Sequence, residues 1–138
     1  MSRLDDMNTS IIRSSEYIAA LRTELSDAGP AKRAAALINQ RALFPHRGKA
    51  ILTAPQLELT SWDTKGSITL SPTSVRRVTR QFDKHYGAFI GGASAKWGAP
   101  VILELKDGTV MYILFNHRAF LEKTDNPDWE DALLEWQL

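Results

Sequence analysis

The sequence contains no cysteine, which removes disulfide frameworks, thiol nucleophiles and cysteine-ligated zinc at one stroke. It has no apolar run near the roughly 20 residues that a membrane-crossing helix needs. Its opening, MSRLDDMNTS, lacks the apolar stretch of a secretion signal, so a cytoplasmic protein is expected. Low-complexity tracts and internal repeats are absent, as are His-Glu-x-x-His, Gly-x-Ser-x-Gly, Gly-x-Gly-x-x-Gly and the P-loop pattern. The three histidines, His46, His85 and His117, are scattered, each beside a cation (Arg47, Lys84, Arg118). None has a carboxylate at metal-ligand spacing, and all three are expected at the surface. The reading is therefore of a non-enzyme, with no catalytic residue, no metal and no cofactor.

What is present suits one compact unit of 138 residues, long enough to bury an ordinary core. The net charge of +1 hides an asymmetry: residues 49–100 hold seven Lys/Arg against three Asp/Glu, and residues 101–138 hold three against eight. A basic middle followed by an acidic tail argues against a general nucleic-acid coat, and no nucleic-acid partner is expected.

The first third reads as helix. Ile11, Ile18 and Leu25 recur every seven residues with Leu21 between, and Gly29-Pro30 ends the run. Pro30 then opens a second helix, PAKRAAALINQRAL, which Phe44-Pro45 closes. This hairpin has a thin apolar face, so it must pack on the rest of the chain or on a second copy, a homodimer through residues 8–44. A lipid-facing role fits less well, because Glu16, Glu24 and Asp27 interrupt any cationic face.

From Gly48 the period changes to that of strands. GKAILTAPQLELTSW holds two extended runs split at Ala54-Pro55, and SITLS, SVRRVTRQF, PVILEL and TVMYILFN follow. Asp107-Gly108 predicts a two-residue hairpin turn. The run Val110 to Phe115 is apolar throughout, which predicts cover on both faces. GAFIGGASAKWGAP is too rich in glycine for an element interior and reads as a loop, within which Trp97 folds back to the core. The last segment, NPDWEDALLEWQL, predicts a helix capped by Asn126, with Pro127 in its first turn and Trp129, Ala132, Leu133 and Trp136 on one stripe.

GKAILTAPQLEL, SITLSPTSVRRVTR and PVILELKDGTVMYILF, followed by a Trp-bearing helix, resemble GRAM and other pleckstrin-homology-like domains over residues 48–138. The likeness rests on Gly48 to Thr53 as a Gly-x-x-x-x-Thr strand, on ITLSPTSVRRV, and on the helix holding Trp129 and Trp136. The resemblance implies an α+β fold: a PH-like partly open antiparallel β-barrel capped by a C-terminal helix. The N-terminal helical hairpin of residues 1–47 is an addition to it, packed with 48–138 as one unit. It further implies a non-enzymatic binding or adaptor module. It brings no lipid ligand with it, since Lys49 is the one cation between Gly48 and Trp62.

The stretch SVRRVTRQFDK carries Arg76, Arg77, Arg80 and Lys84. Alternation would put charge on both faces of a strand there, which suits a short, bulged or edge strand guarded against sheet-to-sheet pairing. The same four cations are the candidate ligand-binding residues for an anionic lipid or phosphate. Protein or peptide partners are favoured, since edges and loops of such barrels suit strand addition. A cone-shaped fold of the NTF2-like kind, with a small-molecule cavity, is the remaining alternative; it normally ends on a strand, whereas this chain ends on a predicted helix.

Overall fold

The structure, a computed structural model, describes residues 10–27, 29, 43–84, 86, 99–118 and 124–138. Among these residues seven antiparallel strands form one sheet: β1 (Ile11–Leu21), β2 (His46–Thr53), β3 (Leu57–Asp63), β4 (Gly66–Leu70), β5 (Val75–Arg80), β6 (Val101–Leu105) and β7 (Val110–Phe115). Their spatial order is β4-β3-β2-β1-β7-β6-β5. A short helix, Arg22–Ser26, follows β1, and a closing helix, Asn126–Gln137, follows β7.

This sheet has to curl. The two edge strands, β4 and β5, are joined by residues 71–74 alone, of which Pro72–Ser74 form a 3-10 turn. Five Cα steps span at most about 19 Å, whereas six flat inter-strand spacings would separate the edges by about 29 Å. Curling gives the sheet an inner face to which all seven strands send alternate side chains, among them Tyr17, Leu52, Leu59, Leu70, Val78, Leu103 and Ile113. Trp129 and Leu133 of the closing helix complete that core. The Trp129 indole stacks on Phe115 at 4.1 Å and 8°. The outer face carries a second core over β1, β6 and β7, built from Ile18, Ala20, Tyr112 and Leu114 with Leu25, Phe44 and Tyr86 laid across them. As its composition predicts, β7 is covered on both faces, and Met111 to Phe115 are all buried.

The largest departure from expectation is residues 11–21, which are a central strand and not a helix. β1 pairs with β2 from Ile11↔Thr53 to Ala19↔His46, and with β7 from Tyr17↔Phe115 to Leu21↔Met111. Tyr17 and Ala19 go to the inner core and Ile18 and Ala20 to the outer one, so four consecutive residues are buried. A short apolar run of this kind fits either period. The β-branched isoleucines and the two serines are weak helix formers, and two waiting strands decide the outcome. Ile11, Ile18 and Leu25 accordingly form no seam: Ile11 is exposed while Ile18 and Leu25 lie in the outer core. The second expected helix, residues 30–43, lies outside the described residues except for Leu43, as do His85, Trp97 and most of the glycine-rich segment.

Two local expectations are also corrected. The β6–β7 loop has three residues rather than two. Gly108 N donates to Leu105 O and Leu105 N to Thr109 O, with the positive φ (95°) at Gly108 and not at Asp107. That is a type I turn closed by a glycine bulge. Asp107 accepts from Thr109 N, the main reason its carboxyl sits below the usual carboxylate range. At the closing helix the capping position is Asp125, and Asn126 is fully buried instead. Its Oδ1 accepts from Phe115 N (2.7 Å) and its Nδ2 donates to Ala99 O (2.8 Å), so one amide lashes the helix to the end of β7 and to the start of β6.

Candidate functional site

Arg76, Arg77 and Arg80 lie on β5, which among the described residues is an edge strand paired only with β6. A bulge between Val75 and Arg77 breaks the alternation. Val75 and Val78 therefore face the core while the two intervening arginines both face out. Arg76 and Arg77 share one carboxylate, Glu104, at 3.1 and 3.6 Å, and their side chains stay 67% and 66% exposed. Arg80 turns the other way, its Nε donating to Glu130 of the closing helix at 2.9 Å. Lys84 is exposed beyond the strand end. The structure thus brings together Arg76 and Arg77, and sends Arg80 to a separate ion pair. Exposed pairs of this sort contribute little to stability, about 0–1 kcal/mol each, and two guanidinium groups sharing one carboxylate leave a net positive charge at the surface. The outer edge of β5 is partly occupied, because Gln137 Nε2 donates to Val75 O (2.8 Å).

A second polar cluster lies at the β1–β2–β3 seam, where the ladder lapses. β3 bulges between Leu59 and Asp63, with Ser61 at a positive φ of 52°. Side chains take up the bonds the ladder loses: Tyr17 Oη donates to Thr60 O (2.8 Å), Lys49 N to Thr60 Oγ1 (2.8 Å), and His46 Nδ1 meets Trp62 O. Gly48 permits the approach, since a Cβ there would lie 2.1 Å from Thr60 O. The His46 ring stacks on Trp62 at 3.8 Å and 6°. Its Nε2 lies 2.9 and 3.0 Å from the two carboxylate oxygens of Glu24, which also caps the short helix by accepting from Leu21 N (2.7 Å). A carbonyl and a carboxylate, acceptors both, flank the two ring nitrogens. The surface expectation is corrected for His46 and His117, which are both buried. Burial pushes the Tyr17 hydroxyl up to about 12.

A third cluster ties the outer face together. Arg22 donates from Nε and Nη2 to Tyr112 Oη (3.1 and 3.0 Å), and Tyr112 Oη donates to Asp83 Oδ2. Burial first, then the Asp83 carboxylate, push the Tyr112 hydroxyl up to about 12. Asp83 Oδ1 accepts from Tyr86 N, so the cluster anchors the chain that leaves β5. It acts as a clasp. Among the described residues no group of three or more His, Cys, Asp or Glu could hold a metal ion, and no helix is long and apolar enough to cross a membrane.

Sequence reasoning missed two surface clefts. One, of about 320 Å³, is lined by Glu16, Ile18, Arg47, Lys49 and His117, and the cross-strand pairs Glu16↔Lys49 and Ile18↔Arg47 set it on the outer side of β1 and β2. The other, of about 400 Å³, lies between the start of β1, the β2–β3 turn and the closing helix, and is lined by Ile12, Ala54, Ala132, Glu135 and Trp136. Neither could be read from spacing, because each needs β1 to be a strand. No protein-family model matches this chain, and no curated protein sequence matches it.

Proposed function

We propose that this chain is a non-enzymatic binding or adaptor module of pleckstrin-homology-like, GRAM-like build, and that its ligands are protein or peptide segments. One observation carries the proposal. The inner face of the curled sheet is filled by Trp129 and Leu133, with Trp129 and Phe115 stacked at its centre. What the molecule offers to others is therefore its outside: edges, turns and shallow clefts, the features that recognise extended or helical segments. The closing helix packed against the seven-stranded antiparallel curl also supports the PH-like reading. A small-molecule cavity of the NTF2-like kind finds less support, since the position it would occupy is packed with side chains. Selecting a displayed library of random peptides on the immobilised full chain tests the proposal. An enriched sequence group binding the folded chain is the expected result, and a selection that converges on nothing would overturn it.

The runner-up is anionic-lipid or phosphate binding through Arg76, Arg77, Arg80 and Lys84. It is favoured by the two exposed arginines that share a single carboxylate. Sedimentation with neutral and anionic vesicles at low and physiological salt, beside an R76E/R77E variant, decides it. Equal sedimentation of parent and variant removes the lipid reading.

A further inference from the structure

The surface of the closing helix is divided by charge. Glu130 faces β5 and meets Arg80, while Asp128, Asp131 and Glu135, at i, i+3 and i+7, share a different stripe. All three belong to a helix with no Lys, Arg or His, and no described side chain forms an ion pair with any of them. That acidic stripe borders the cleft between Ile12, Ala54, Ala132 and Trp136, with Glu135 itself in the wall.

The cleft is apolar and firmly floored. The Trp136 indole N–H donates to Thr53 O (2.9 Å) and Ala54 O (3.2 Å), which holds the ring against the β2–β3 turn. A register shift between Ile11 and Arg13 releases Ile12 from the β1 ladder at this point. Ile11 and Ile12 are 62% and 54% exposed and Leu134 is 42% exposed; with Leu138 they are the exposed large apolar side chains among the described residues. Their position beside an acidic stripe with no ion-pair partner among the described residues distinguishes this surface from β5, where Arg76 and Arg77 share Glu104 and Arg80 meets Glu130.

Resting on the binding-module reading above, we infer that this cleft docks a protein segment of basic and apolar character. An apolar side chain would sit against Ile12 and Trp136, and Lys or Arg beside it would face Asp128, Asp131 and Glu135. Charge complementarity selects this occupant. An anionic membrane surface would be repelled by the stripe, and an acidic peptide would add like charges.

The test is a displayed library of random 12-residue peptides selected on the full chain, with enriched peptides then measured against variants. The D131K/E135K variant reverses the stripe while leaving Asp128, which supports the first turn of the helix. I12E spoils the apolar floor, and both changes are at exposed positions. Enriched peptides should combine apolar residues with Lys or Arg, and D131K/E135K should weaken them by about tenfold or more, as complementary charge at an interface does. Binding should also weaken in about 1 M salt, where the screening length is about 3 Å. The D131N/E135Q variant gives the same direction with a smaller loss, and serves if the reversal disturbs folding. Peptides that bind I12E and D131K/E135K as well as the parent, or that carry no cation, overturn this assignment and leave the binding-module reading standing. Self-association abolished by I12E would make the occupant a second copy, which also overturns it. A selection that enriches nothing sinks the broader reading instead.

Discussion

The two sides of the sheet are held by different chemistry. Around β6, β7 and the closing helix, large apolar side chains stack in register and one buried amide, Asn126, fixes the helix to the strand ends. Around β1, β2 and β3, the ladder is broken by bulges, and Tyr17, His46 and Thr60 stand in for backbone partners. The first region follows from local pattern. The second depends on three strands meeting, and a single glycine lets them do so. Stability should concentrate in the first, and geometric intolerance in the second.

The sharpest way to break this comparison is W129A, which empties the inner core and removes the stack on Phe115. It should cost about 3–5 kcal/mol in chemical denaturation, and a loss below 1 kcal/mol would show that the helix is peripheral. N126A comes next. It strands a buried N–H and a buried carbonyl and should cost about 2–3 kcal/mol, read in the same denaturation series. On the other side, G48A forces a Cβ into Thr60 O and should cost about 1–3 kcal/mol. An unchanged melting temperature there would mean that the β2–β3 seam yields. Y17F removes one hydroxyl bond at the same seam and should cost about 1 kcal/mol.

Alkaline titration sharpens the comparison, because each region holds one tyrosine pushed up to about 12: Tyr17 at the seam and Tyr112 on β7. Below pH 10 both are neutral whether folded or unfolded, and their contribution is intact. Between pH 10 and 12 the unfolded chain ionises them and the folded chain does not, so stability falls with rising pH and the contribution is gone above about 12. Y17F and Y112F should each flatten that decline, which denaturation midpoints across the window will show. R77E should have the smallest effect, within about 0.5 kcal/mol, since it breaks an exposed 3.6 Å pair.

The strands from β2 onward were legible because each is a short apolar or alternating run between turn residues such as Ala54-Pro55, Asp63 to Gly66 and Asp107-Gly108. The edge character of β5 was legible too, since Arg76 and Arg77 between Val75 and Val78 admit few other placements. β1 was not. Tyr17 to Leu21 is short and apolar on every side, and the seven-residue spacing of Ile11, Ile18 and Leu25 happens to mimic a heptad. His46 gave no local sign of burial, because its partners Glu24 and Trp62 lie 22 and 16 residues away. The cleft beside Trp136 was hidden for the same reason: its wall joins residue 12 to residues 54 and 132–136.

Period, turn chemistry and charge placement, all properties of neighbouring residues, determined by themselves that this chain forms an antiparallel sheet with a basic edge, a doubly buried strand and a tryptophan-bearing acidic helix. Only the tertiary structure decided that residues 11–21 complete the sheet, that Asn126 and His46 turn inward, and that Ile12 meets Trp136. Those outcomes depend on hydrogen-bonding partners distant along the chain, and local periodicity carries no record of them.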